Sequence, residues 1–337
     1  MDTASPFIVS ILNAKNGLPL RRLVRMKSLL VLLLMAVNVY AQSAQQLFVA
    51  NKSGNTVSIV NAKTLAIEHT VNVGNGPHEV ALIPNGTKAY VSNAAGNSVS
   101  VIDLKTRAEK KITSPDFAYP HGIVFTPDSR RAIVTSEQSN KIFLIDSATD
   151  QILRVIGTDQ RGTHMVVINK AGTWAYFSNR DSNTVSFMDL KDYRIVANVP
   201  VGQGGEGIAL SPDEKELWVG DRDVATVSVI DVAKRQRVAT LPVGPSPVRV
   251  AFTPDGKYVL VPDRQANDVR VFDAAARKQV KSIPVCTGAG GILVAPDGKT
   301  AYVTCQGSND LNAIDVETWT VTNKVTLGRG PDGVAIR

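Results

Sequence analysis

Residues 76–106 read GPHEVALIPNGTKAYVSNAAGNSVSVIDLKT: an apolar run, an Asn-Gly turn, an alternating run, a small-residue loop, and a second alternating run ending at Asp103. β-Branched residues at period two, with turn residues between the runs, specify antiparallel strands, because alternate side chains of a strand face opposite ways. The unit recurs. LFVAN, AYVSN, AIVTS, AYFSN, LWVGD, VLVPD and AYVTC begin at residues 47, 89, 132, 175, 217, 259 and 301, a period of 42 or 43. Behind each comes NTVSIVN, NSVSVID, NKIFLID, NTVSFMD, ATVSVID, NDVRVFD or NDLNAID, then a turn and a weaker outer strand such as KTLAIEHTVNV contains. Four short strands in a unit of about 40 to 45 residues describe a propeller blade. Nothing resembles a βαβ crossover.

The predicted fold is all-β, a seven-bladed β-propeller of four-stranded blades. The chain ends fit a closed ring. Gln46 to Asn51 is the second strand of a blade, whereas GPDGVAI at residues 330–336 is a first strand with no followers. Joined one plus three, they complete a blade and remove the open sheet edges. The repeat closely resembles the YVTN-type β-propeller repeat of YncE-like and surface-layer-like exported proteins, over residues 46–337. The resemblance implies this fold. Related seven-bladed proteins include phosphogluconolactonase-type lactonases, muconate cycloisomerases and propeller domains of periplasmic metalloenzymes, so it implies no single chemistry.

The chain has 337 residues, of which 44% are apolar, enough for a full core. MKSLLVLLLMAVNVYA, residues 26–41, has a basic start, an apolar stretch and a small-residue end at Val39 and Ala41, the pattern of a secretory signal cleaved after Ala41. It is short for a transmembrane helix, which needs about 20 apolar residues. Translation from Met26 would make residues 1–25 an upstream extension, with Met1 as the alternative start. The mature propeller, residues 42–337, is expected to be periplasmic or secreted, monomeric and free of membrane spans. Of the formal charge of +7, the first 41 residues carry +4 (Lys15, Arg21, Arg22, Arg25 and Lys27 against Asp2), leaving +3. That is too little basic charge for a nucleic-acid binder.

Repeated polar residues are read as architecture. Asn61, Asp103, Asp146, Asp189, Asp231, Asp273 and Asp315 follow the third strand, where an Asx side chain bonds backbone N–H groups of the turn. Asn55, Asn97, Asn140, Asn183, Asn267 and Asn309 precede it as turn residues.

A site needs asymmetry between blades. At the start of the innermost strand, beside the axial channel, the matched residues are His78, His121, His164, Glu206, Val248, Gly290 and Asp332. His78, His121, His164 and Glu206 suit a zinc, copper or iron ion; the bland alternative is a repeat that tolerates a loop-capping His. After the second strand the series is Lys52, Ala94, Glu137, Arg180, Arg222, Arg264 and Gln306. Arg180, Arg222 and Arg264, with Arg249 near the inner strand, would receive a carboxylate or phosphate. The alternative is a rim neutralised by the neighbouring Asp181, Asp221, Asp223 and Asp263. Cys286 and Cys305 fall on the same face, where in an exported protein they are most simply a disulfide.

The expected function is a binding module whose channel mouth takes a small anionic ligand, a peptide or a partner protein. Two alternatives follow from the same residues: a metal-dependent enzyme using the histidines and Glu206, or, by resemblance to propeller lactonases and cycloisomerases, a catalyst in which His164 or Glu206 moves a proton while Arg180 and Arg222 hold the anion. The surface-layer resemblance adds a structural role in the cell envelope.

Overall fold

The computed structural model describes residues 45–337; the expected upstream extension and signal peptide lie outside the described residues. These residues form 28 strands in seven four-stranded antiparallel sheets, with one 3-10 turn at Arg222–Val224. The inner strands are Pro331–Ile336 in blade 1, then Pro77–Leu82, Pro120–Phe125, Thr163–Ile168, Gly205–Leu210, Ala251–Phe252 and Ala289–Val294 in blades 2 to 7. They touch one another in that order around a closed ring. Closure is as expected: Leu47, Phe48 and Val49 pair with Ile336, Ala335 and Val334, and Gln46 and Arg337 exchange backbone hydrogen bonds.

Both faces of each blade are apolar because each is pressed against a neighbour. Seven buried clusters result, each shared by two successive blades; Tyr90 and Val101 of blade 2 meet Phe125 and Phe143 of blade 3 in one of them. The last pairs blade 7 with blade 1, through Tyr302, Leu47 and Val49. Among the described residues no helix is long and apolar enough to cross a membrane.

The third-strand Asx turns form as expected: Asp103 Oδ1, for example, accepts the N–H of Lys105 at 3.0 Å and of Thr106 at 2.7 Å. The other asparagine series does more than turn the chain. Asn55, Asn97, Asn140, Asn183, Asn267 and Asn309 adopt positive φ, and each Oδ1 accepts a backbone N–H from the loop that opens the next blade, at 2.7–3.0 Å. Ala225 holds the matched place in blade 5, also at positive φ, and has no such acceptor. The strand it would strap, in blade 6, is regular only over Ala251–Phe252, preceded by an isolated Pro247–Asp263 bridge. Pro245 and Pro247 contribute no N–H to that stretch.

Inner strands lie unusually close together near the axis. A Cβ on Gly122, Gly207, Gly291 or Gly333 would stand 2.8, 2.5, 2.1 or 2.6 Å from backbone atoms of the next inner strand. Only glycine fits there. This close approach brings the side chains of the preceding position to a common rim.

Candidate functional site

Most inner strands carry a register shift just after their first residue, between Pro77 and Val80 or Thr163 and Val166 for instance, which turns the second and third residues toward the channel. The three inner-strand histidines converge there. The His78 and His121 ring centroids are 3.8 Å apart, those of His121 and His164 3.7 Å, and His78 Nε2 lies 3.1 Å from His121 Nε2. All three are buried.

Carboxylates fix the outer nitrogens. His78 Nδ1 is 3.2 Å from Asp332 and 3.4 Å from Glu79, and His164 Nδ1 is 2.9 Å from Glu137 Oε2. With Nδ1 held by a carboxylate, Nε2 is the nitrogen that each of these two rings turns away from the acid. His164 Nε2 and His121 Nδ1 are buried without any hydrogen-bond partner. Burial first, then His164 and His78, hold the His121 pKa well below its ordinary value, so this ring is neutral. Two candidate ligand groups, His78–Glu79–His121 and His121–Glu137–His164, share His121, with ligand atoms in each within 4.8 Å of one another.

Glu206, expected with the histidines, feels the charge of His164 and is also ion-paired with two arginines. Its carboxylate takes Arg222 Nη1 at 2.7 Å and Arg249 Nη1 at 3.5 Å. Burial opposes the charge, but His164, Arg249 and Arg222 outweigh it and lower the Glu206 pKa. An acid so held stays ionised and is unsuited to protonating a leaving group.

The arginines find different partners from those next to them in sequence. Arg249 Nη2 bonds Glu79, 170 residues away, linking blade 6 to blade 2 across the channel. Arg180 is 3.7 Å from Glu137. Among the described residues only Asp223, 3.7 Å from Arg222, acts as a sequence-adjacent partner; Asp221 and Asp263 are buried within their blades, bonding Ser228 and the Ser246 N–H respectively. Arg264 makes no ion pair among the described residues, and its Nε is buried without a partner. Cys286 and Cys305 form the expected disulfide, Cα–Cα 5.7 Å.

Glu79, Glu137, Asp332 and Tyr119 complete a site that sequence reasoning populated mainly with His and Arg. Tyr119 has φ 60° at the place where Gly76, Gly162, Gly204, Gly288 and Gly330 supply glycine in five other blades, and its ring centroid is 6.2 Å from that of His121. A bulky side chain in this conformation is strained, and the sequence carried that signal as Tyr-Pro-His against Gly-Pro-His. Tyr119→Ala and Tyr119→Gly both remove the ring, and only the glycine relieves the backbone. The glycine variant is therefore expected to be the more stable of the two by about 1 kcal/mol in chemical denaturation. Equal stabilities would show that no strain is stored there.

A family model described as YNCE-like beta-propeller matches residues 31–336. No curated protein matches the chain. Among solved structures the chain is similar to hydrazine synthase from Kuenenia stuttgartiensis, at 25% identity and TM-score 0.74, covering 80% of this chain and 92% of that one. It is also similar to a functionally unknown protein from Desulfotomaculum acetoxidans DSM 771 (14%, TM-score 0.75, 86% and 98% covered) and to dihydro-heme d1 dehydrogenase NirN in complex with DHE (13%, 0.67, 88% and 76%). The latter two likenesses concern the fold alone.

Proposed function

The chain belongs to the YNCE-like β-propeller family, and on that premise we propose that it is an exported metal-binding module, holding a divalent zinc, copper or iron ion at the histidine end of its channel mouth. One observation carries the reading: carboxylates hold Nδ1 of His78 and His164 on either side of a neutral His121, while His164 Nε2 and His121 Nδ1 are buried without a partner. Orienting carboxylates behind ligating imidazoles are the usual arrangement around such ions. The spacing agrees. Two nitrogens on a tetrahedral zinc at about 2.1 Å lie about 3.4 Å apart, against 3.1 Å for His78 Nε2 and His121 Nε2. An N/O ligand set of this kind suits zinc, copper or iron over calcium or magnesium. Export is supported by the signal pattern of residues 26–41 and by the disulfide.

Elemental analysis of the protein purified from its export route tests this. About one equivalent of metal is expected, lost in His121→Ala. Glu137→Gln, which keeps the ring and removes the carboxylate charge, should weaken binding by about 10- to 100-fold while the fold persists. A wild-type chain that takes up none of the three metals, or a His121→Ala variant that retains a full equivalent, would overturn the proposal.

A further inference from the structure

On the face opposite the histidines lie the turns that follow the inner and third strands of each blade. In three joints the polar groups that meet there satisfy one another. Tyr90 donates to Asp150, which also takes Lys88 at 2.8 Å; Tyr302 donates to the Ala62 carbonyl at 2.8 Å; and Glu216 accepts from Trp218 Nε1 at 2.9 Å and from Arg277 at 2.6 Å.

The joint between blades 4 and 5 differs. Trp174 stands where blade 5 has Glu216, and Arg235 where blade 6 has Arg277. The Arg235 guanidinium therefore has a ring beneath it, 5.4 Å from the Trp174 centroid, in place of a carboxylate. Tyr176, matched to Tyr90 and Tyr302, has a hydroxyl without a partner among the described residues. Burial, then Glu214, push its pKa up to about 12, so it stays a donor. Glu214 is itself a departure. It has φ 62° in the turn where Gly86, Gly172, Gly256 and Gly298 supply glycine in four other blades, and a side chain in that conformation is strained. Its Oε1 accepts the Lys170 N–H at 2.5 Å, and its Oε2 has no partner among the described residues.

These groups line one cleft of about 300 Å³, in which the rings of Trp174, Tyr176 and Phe187 are joined by Arg235 and Glu214. That volume is within the range of small-molecule sites. Between blades 5 and 6 there is a cleft of the same size, but its Arg277 and Glu216 answer each other. Arg235 and Glu214 form no ion pair among the described residues, with each other or with any third group. Aromatic walls with one free cation and one free anion fit a molecule that carries a ring and both charges.

We propose that the cleft between blades 4 and 5 binds an aromatic α-amino acid, its carboxylate on Arg235 and the Tyr176 hydroxyl, its ammonium on Glu214 and its ring against Trp174 and Phe187. The histidines are on the other face, so the test is independent of metal content. Calorimetric titration of the full chain with L-phenylalanine, 3-phenylpropionate, phenethylamine and L-alanine should give L-phenylalanine the highest affinity, because each of the others lacks the ammonium, the carboxylate or the ring. Arg235→Gln should weaken L-phenylalanine by about tenfold or more, the loss of a charge-assisted contact, and leave phenethylamine unchanged. Glu214→Gln should weaken L-phenylalanine similarly and leave 3-phenylpropionate unchanged. Binding should also alter the tryptophan fluorescence of the wild type and not that of Trp174→Phe. Absence of binding by the wild type, equal or tighter binding of any of the three analogues, or L-phenylalanine affinity unchanged in Arg235→Gln and Glu214→Gln would each overturn the assignment.

Discussion

Arg249→Met is expected to destabilise the propeller by about 3–5 kcal/mol at neutral pH, the usual cost of stranding a buried charge. The guanidinium lies between Glu79 and Glu206, and all three side chains are nearly inaccessible. Burial opposes the Glu79 charge, yet Arg249 and His78 more than compensate, and its pKa falls. Without Arg249 the direction reverses. Glu79 would then prefer to be neutral, so the damage is absent below the ordinary carboxyl range and grows as pH rises through it. The double variant Glu79→Gln, Arg249→Met removes both charges and should recover most of the loss, because the two positions are coupled. Urea denaturation of the wild type, both single variants and the double variant measures this. A single variant within about 1 kcal/mol of wild type at pH 7 would show that the cross-channel pair carries little stability.

Asp221→Asn should act in the opposite sense. The last residue of the second strand is Asn51, Asn93 and Asn179 in three blades, each donating to hydroxyls of the adjacent strand, such as Ser58, Ser100 and Ser186. Blade 5 puts a carboxylate there. Asp221 accepts from Thr226, Ser228 and the Gly202 N–H, but it is fully buried with no ion pair among the described residues. Burial, against those hydrogen bonds, pushes its pKa up to about 6 from 3.8. For an acid whose folded pKa is raised, the folded state is penalised only when the group is ionised. The penalty is nil below about pH 4, grows through the interval up to 6, and is complete above it. Replacement by Asn should therefore stabilise by about 2–3 kcal/mol at pH 7 and by little at pH 4. Melting temperatures at the two pH values decide it; a shift independent of pH would exclude the charge as its cause.

The fold was legible because a propeller writes each element seven times. Strand pattern, turn chemistry, and the unpaired first strand at residues 330–336 are local features, and local features survive in a linear string. The disulfide was legible for a related reason, since matched positions in one blade must lie together. The site was legible only in part. His78, His121 and His164 announce themselves as breaks in the series, and the ring brings them together as expected. The ion pairs of Glu206 and the arginines were not legible, because which carboxylate meets which guanidinium depends on distances across the channel rather than along the repeat. Glu79 with Arg249 is the clearest case. Both stand at the third inner-strand position, where four other blades carry glycine. Two opposite charges breaking a run of glycines was the available signal.

The asparagine straps have a mechanical consequence. Six of the seven joints in the ring are latched from one blade to the next, and the joint between blades 5 and 6, where Ala225 stands, is not. Deformation of a closed ring concentrates at its loosest joint, and blade 6 is the one whose inner strand is shortest. The Glu79–Arg249 tie runs from that blade to the histidine arc. The one joint without an asparagine latch is thus followed by the blade that reaches across the channel to the residue next to His78.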